Sequence, residues 1–100
     1  MTKVSLFSNG FSVKGHCSAN VNDEEGKLVC AAVSSAVYLT VNTITEVAGD
    51  KANITEKDGE MTVKLSSVSE GSKTVLEGFK IHILQLSKQY PRCIKVNSEV

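Results

Sequence analysis

The stretch from Lys27 to about Val47 constrains the fold more than any other part of the chain. It contains neither proline nor glycine, and small or aliphatic side chains fall on nearly all of its sides. The β-branched residues Val33, Val37 and Val41 each cost about 0.5 kcal/mol against alanine in a helix. The run is nevertheless too long for one strand. It therefore predicts a central buried helix.

Strand-turn-strand patterns lie on both sides of this helix. Before it, Val4 and Leu6 alternate with polar neighbours, and Asn9-Gly10 supplies a two-residue turn before the alternation resumes. After it, Gly49-Asp50 ends the helix and Asp58-Gly59 forms the turn of another apolar-polar alternation. The sequence therefore predicts two β-hairpins, one on each side of the central helix.

The last third of the chain predicts an amphipathic helix and a final strand. Ser69 or Ser72 can cap the helix, and Tyr90-Pro91 stops it. Ile94 and Val96 then alternate with polar residues. The element order is ββαββαβ, with two helices packed on an antiparallel or mixed sheet, which is an α+β class. A chain of 100 residues suits one domain, so residues 1–100 are expected to form a single unit.

Composition and charge argue against several classes of function. Eleven basic residues balance eleven acidic ones, and no Lys/Arg run could follow a phosphate backbone, so direct nucleic-acid binding is disfavoured. The most apolar run, Leu28–Val41, is shorter than the roughly 20 residues that cross a bilayer. Three cysteines without a CxxC pair indicate free thiols in a reducing compartment. We expect a cytoplasmic protein with neither a metal nor another cofactor, and no membrane contact.

The central helix also bears on assembly. Its apolar side chains extend over more than one face, and one sheet in so small a domain covers only part of them. A second copy of the chain would cover the rest. We therefore expect a homodimer.

His16 and Cys30 are the candidate catalytic pair. Gly15-His16 follows a predicted strand, and Cys30 lies near the start of the central helix. A thiolate near a helix N-terminus is stabilised by the peptide dipoles, and an imidazole beside it can accept its proton. A cysteine in this position is otherwise a small buried hydrophobe, so the pairing with His16 carries the hypothesis.

These residues resemble the Prp family of ribosomal-processing cysteine proteases. The resemblance rests on Gly15-His16 and on the segment 28–34, Leu-Val-Cys-Ala-Ala-Val-Ser, with weaker agreement at 41–44 and at Tyr90-Pro91. It implies that Cys30 is the nucleophile and His16 the catalytic histidine. It also implies a small dimeric α/β sandwich that removes a short N-terminal extension from a large-subunit ribosomal protein.

Two positions depart from the family pattern. Lys27 stands where the family has an acidic residue, and Cys17 stands where it has alanine. Lys27 removes a carboxylate that could orient His16, which favours a Cys-His dyad over a triad. As a cation one turn before Cys30, Lys27 could instead keep the thiolate populated. The sequence leaves both alternatives open.

Further residues are candidates for supporting roles. Backbone N–H groups of Leu28 to Cys30 are expected to be unpaired and to stabilise an oxyanion. Ser34 lies one helical turn after Cys30 and could bond to substrate, to water or to the carbonyl four residues earlier. The acidic loop before the helix is expected to be a flexible flap over a basic peptide, and its residues are Asn22, Asp23, Glu24, Glu25 and Gly26.

Two other functions remain open. One is a non-catalytic ribosome-associated module that binds protein and keeps Cys30 as packing. The other is a thiol redox sensor, for which Cys17 is the available resolving cysteine. The endopeptidase hypothesis requires both His16 and Cys30 for activity.

Overall fold

The computed structural model describes residues 1–15 and 24–99. Their elements follow the predicted order ββαββαβ and form one α+β unit in which both helices pack on a five-stranded mixed sheet. The bounds are β1 Thr2–Phe7, β2 Gly10–Lys14, α1 Glu24–Asn42, β3 Ala52–Lys57, β4 Glu60–Leu65, α2 Glu70–Gln89 and β5 Ile94–Ser98. A π-helical turn, Thr43–Val47, extends α1.

The sheet has the strand order β3-β4-β2-β1-β5. β5 runs parallel to β1, and the other three pairs are antiparallel. Alternate residues of β1, β2, β4 and β5 point to the helices, and together with the buried stripes of both helices they form the core. β3 adds only the partly buried Ala52 to it. Phe11 of β2 stacks on Phe79 of α2, with ring centroids 4.2 Å apart. The two predicted hairpins are confirmed, whereas Ile54 of β3, in the apolar pattern of the second hairpin, is 44% exposed.

The central helix differs from its prediction at two points. It begins at Glu24 rather than near Lys27, because acidic side chains are favourable in a first helical turn. It is also buried on one face only, along a stripe made by Val29, Val33, Val37, Thr40 and Ile44. The sheet has a single helical layer on it, so the opposite face of α1 stays exposed.

The exposed face of α1 carries three large apolar side chains among its polar ones. Leu28, Tyr38 and Leu39 are 59%, 63% and 70% exposed. By length and composition alone, Glu24–Val47 is apolar enough to cross a membrane, a criterion that the core helix of a sheet protein also meets.

Asp50 joins the end of the first helix to the start of the second. Its Oδ2 accepts hydrogen bonds from the backbone N–H of Ser69 at 3.0 Å and from the Ser69 hydroxyl at 2.8 Å. Ser69 in turn caps α2, since its Oγ accepts from the Ser72 N–H. Of the two predicted caps, Ser69 is therefore the one used.

Hydrogen-bond donors around Asp50 also lower the pKa of its carboxyl group. The nearby Ser72 hydroxyl and the two Ser69 donors favour the carboxylate and lower the pKa of the Asp50 carboxyl from its ordinary value. The Ser72 hydroxyl is buried and has no partner of hydrogen-bond geometry among the described residues, so it acts on the carboxylate at longer range.

This lowered pKa predicts a pH-dependent stability. A carboxyl whose folded pKa lies below its unfolded value stabilises the fold above the unfolded pKa, about 3.9, and loses that contribution as the pH falls through the folded pKa. Wild type should therefore be more stable than Asp50→Asn at neutral pH, and the difference should shrink below about pH 4. Urea unfolding of both proteins across this range measures it. A difference that stays constant with pH would contradict this role.

Candidate active site

Cys30 lies on the second turn of α1 and lines a cavity between this helix and the sheet. It is a free thiol and is partly exposed. The cavity has a volume of about 270 Å³, and Gly15 and Ser34 line it together with Cys30. Three of the predicted site residues therefore meet at one cavity. His16 lies outside the described residues.

Gly15 holds the end of β2 against two other parts of the chain. Its φ of +83° is a left-handed conformation that favours glycine, and a Cβ here would lie 2.8 Å from the Met1 carbonyl oxygen. Its N–H donates to the carbonyl of Gly59, in the β3–β4 turn, at 3.3 Å. Glycine is thus required at the point where the chain leaves the sheet beside the cavity.

The early start of α1 changes the environment predicted for Cys30. Cys30 is the seventh residue of the helix, whereas the dipole acts mainly within the first turn. The N–H groups of Leu28, Val29 and Cys30 bond to carbonyls one turn earlier, as in any α-helix. The prediction that these groups are unpaired oxyanion donors is therefore wrong, because the N–H groups left without an intrahelical acceptor lie nearer the helix start.

The helix start also shortens the predicted flap. Glu24, Glu25 and Gly26 belong to the first turn of α1, and Gly26 is buried. A loop extending to Gly26 is therefore wrong at its C-terminal end. Asn22 and Asp23 lie outside the described residues, so their part of the flap stays a prediction.

Lys27 and Ser34 are on either side of Cys30 along α1, and both are exposed. Ser34 lines the cavity, one turn after Cys30, whereas Lys27 does not. This places the Ser34 hydroxyl within the candidate site, as its spacing predicted. The choice between the two roles of Lys27 stays open.

The cavity also contains residues that sequence reasoning missed. Tyr38 and Glu56 line it, and so does Thr2, whose hydroxyl is buried without a hydrogen-bond partner among the described residues. Tyr38 follows Ser34 by four residues, so helical spacing could have indicated it. Thr2 and Glu56 reach the cavity only through strand pairing, for which the local sequence has no signal.

The other cysteine in the described residues, Cys93, is not part of this cavity. It is buried just before β5, with its sulfur 3.9 Å from an oxygen of Glu25. It is disulfide-bonded. The expectation that all the cysteines are free thiols is therefore wrong for Cys93.

A larger groove lies between α1 and α2. Its volume is about 530 Å³, and Ala32, Leu39, Val75, Phe79 and His82 are among the residues lining it. It contains no cysteine thiol and does not reach Cys30. Size alone would therefore select a cavity that the candidate nucleophile does not line.

Comparison with known proteins identifies the family. Residues 1–95 match the family model Peptidase_Prp, described as cysteine protease Prp. The chain belongs to the Prp family of cysteine proteases. The resemblance carried by Gly15-His16 and by the segment around Cys30 is thereby confirmed at the level of the family. No curated protein matches the chain at a significant level.

Solved structures share the Prp fold over nearly the whole chain. The essential ribosomal processing protease Prp from S. aureus, in complex with a covalently linked product peptide, has a TM-score of 0.80 at 15% identity, covering 98% of this chain and 97% of that one. The same protease with a substrate peptide has a TM-score of 0.75, at the same identity and coverage. SMU.848 from Streptococcus mutans has a TM-score of 0.81 at 22% identity, covering 98% and 93%. At these identities the likeness establishes the fold.

Proposed function

We propose that this Prp-family chain is a cytoplasmic endopeptidase that removes a short N-terminal extension from a large-subunit ribosomal protein. Cys30 is the nucleophile and His16 the general base. The observation that carries this proposal is the free thiol of Cys30 on the wall of a cavity that Gly15, the residue before His16, also lines. The S. aureus relative, a ribosomal processing protease, holds substrate and product peptides, which supports a peptide as the occupant of this cavity.

The mechanism proceeds through a thioester. His16 takes the proton of the Cys30 thiol, and the sulfur attacks the carbonyl carbon of the scissile peptide bond. The carbon–nitrogen bond then breaks, and the new amine leaves with the proton that His16 returns. Water, activated by the same imidazole, hydrolyses the thioester and restores the thiol. No redox partner and no metal is needed for this sequence.

The walls of the cavity suit an extended peptide. The Ser34 and Thr2 hydroxyls and the Glu56 carboxylate offer hydrogen bonds, while Val13, Val33 and Met61 provide apolar contact. The Thr2 hydroxyl is buried without a partner among the described residues. A substrate amide could satisfy it, and this would favour bound substrate over the empty site.

The proposal includes a homodimer. The exposed apolar face of α1 lies beside the groove between the two helices, where Leu39 is 70% exposed. A second copy packed on this face would bury side chains that the sheet leaves open.

Alkylation and cleavage measured side by side test the proposal. Wild type should cleave a peptide spanning the precursor junction, and iodoacetamide should label Cys30 rapidly at neutral pH. His16→Ala should lower cleavage at least about 100-fold, because general-base catalysis contributes roughly 10²–10⁴-fold, and it should slow labelling at neutral pH. His82→Ala is the matched control, since His82 is exposed on α2 away from the cavity.

Two outcomes would reject the assignment. Equal cleavage by wild type and His16→Ala would remove the proposed base. Slow labelling of wild-type Cys30 with no cleavage would favour the non-catalytic binding module. The sedimentation mass of the same wild-type sample tests the homodimer.

A further inference from the structure

The two faces of the sheet differ sharply in chemistry. One face is covered by α1 and α2 and contributes the core, as well as Val13, Glu56 and Met61 of the Cys30 cavity. Strand alternation and the pairing registers place the remaining residues on the opposite face, which neither of the two described helices covers. Each strand places one exposed lysine there. We call this surface the lysine face, and its cations are Lys3, Lys14, Lys57, Lys64 and Lys95.

Three of these lysines stand side by side at one end of the neighbouring strands β2, β1 and β5, of which β5 is an edge strand. Lys3 of β1 is directly opposite Lys14 of β2 on one side and Lys95 of β5 on the other. Adjacent strands lie about 4.8 Å apart. Like charges directly opposite each other destabilise a sheet, so this row is a costly arrangement for the protein alone. A bound polyanion would place negative charge between these lysines and offset their mutual repulsion.

The lysine face is basic although the chain is neutral. It carries five of the eleven cationic residues, whereas two acidic residues lie there among the described residues. They are Glu60 of β4 and Glu99, whose N–H continues the β1–β5 ladder to the Leu6 carbonyl beside Phe7. Glu60 stands between Lys14 and Lys57 in the lysine row, whereas Lys3 has a lysine on each side and Glu99 lies two rows away. Zero net charge therefore conceals a segregation of charge between two sides of one sheet, which amino-acid counts do not reveal.

The other residues of the face match single-stranded nucleic acid. Ser5, Ser12 and Thr62 form a second row beside the lysines. Ser12 is buried, whereas the partly exposed hydroxyls of Ser5 and Thr62 can donate to phosphate oxygens or pair with a ribose 2′-OH. Phe7 lies in the next row, with Gly10 beside it and the Lys64 Nζ over one face of its ring, 5.0 Å from the centroid, where a base would have to displace it. A partly exposed aromatic ring next to cations is a platform on which a base can stack.

We infer that the lysine face binds single-stranded RNA, mainly through the phosphate backbone. An anionic membrane surface would call for several apolar side chains to enter the bilayer, and Phe7 is the one aromatic or large aliphatic residue that the strands place on this face. An acidic protein would interact with the lysines but has neither a base to stack on the aromatic ring nor a 2′-OH to bond to the hydroxyls. Single-stranded RNA can interact with the lysines, the hydroxyls and the ring. The inference does not depend on the proposed protease activity, because the Cys30 cavity lies on the other face of the sheet.

Fluorescence anisotropy with a labelled mixed-sequence RNA oligonucleotide tests the inference. Binding should weaken with a slope of about −3 in log K against log salt, since each neutralised phosphate contributes roughly −0.7 for a single strand. That slope corresponds to about a 60-fold loss between about 50 and 200 mM salt. The double variant Lys3→Gln/Lys95→Gln should bind more weakly and reduce the slope by about 1.4.

The controls separate the lysine face from the rest of the surface and RNA from other partners. Lys27→Gln/Lys88→Gln makes the same change in net charge on exposed positions of α1 and α2 and should bind RNA like wild type. Equal weakening by the two double variants would overturn the inference, as would undetectable binding of wild type at about 50 mM salt. Polyglutamate, anionic vesicles or DNA of the same sequence binding as tightly as RNA would each overturn the choice of RNA. Circular dichroism confirms that the variants are folded.

Discussion

Replacement of Cys30 by alanine is expected to abolish peptide cleavage while leaving the fold intact. Without the sulfur no thioester can form, and the loss for removed nucleophiles in triad-type proteases is roughly 10⁴–10⁶-fold in kcat. Cys30 is only partly buried on the helix, so the free energy of unfolding should change by less than about 1 kcal/mol. Cleavage of the precursor-junction peptide and urea unfolding, run on the same preparation, measure the two effects.

Ser34→Ala is the matched control for Cys30→Ala. Ser34 lies one turn further along the same helix and lines the same cavity, yet it takes no part in bond breaking. Its replacement should reduce kcat/KM by no more than about tenfold, since one neutral hydrogen bond contributes roughly 1 kcal/mol. Substantial cleavage by Cys30→Ala would show that another group performs the chemistry, even if the family assignment stands.

Gly10→Ala should cause the largest loss of stability of any single methyl addition in the sheet. A Cβ at this position would lie 1.9 Å from the Val63 carbonyl oxygen and 3.1 Å from the Lys64 Cα, which are backbone atoms of the paired strand β4. Backbone held by a ladder cannot turn aside as a flexible side chain does, so β2 and β4 must separate locally. We expect at least about 3 kcal/mol of destabilisation, or a fall in Tm of more than about 10 °C.

The opposite result is expected at Gly78. A Cβ there would meet no atom within 4 Å among the described residues, and alanine is favoured over glycine inside a helix by up to about 1 kcal/mol. Gly78→Ala should therefore raise Tm slightly, and thermal unfolding of the two variants compares them directly. A Gly10→Ala protein as stable as wild type would mean that the β2–β4 register differs from the one described.

Local sequence patterns predicted most of the fold. The Asp58-Gly59 turn, the Ser69 cap and the stop at Tyr90-Pro91 all act within a few residues, so each is visible in the sequence and each is confirmed. The errors arose where a local signal has two meanings. Glu24 and Glu25 suit a solvated loop and equally suit the first turn of a helix, and this ambiguity displaced the helix start and with it the predicted oxyanion donors.

The sequence by itself determined the order of the elements, the two hairpins and the place of Cys30 on the central helix, because these depend on side-chain periodicity and on caps and turns between near neighbours. Only the tertiary structure decided that Thr2 and Glu56 share a cavity with Cys30, and that Lys3, Lys14 and Lys95 form one row. Both outcomes depend on the pairing of strands far apart in the chain, above all β1 with β5 and β2 with β4. Register sets the face and the neighbours of each strand residue, and it follows from packing of the whole sheet rather than from any short segment.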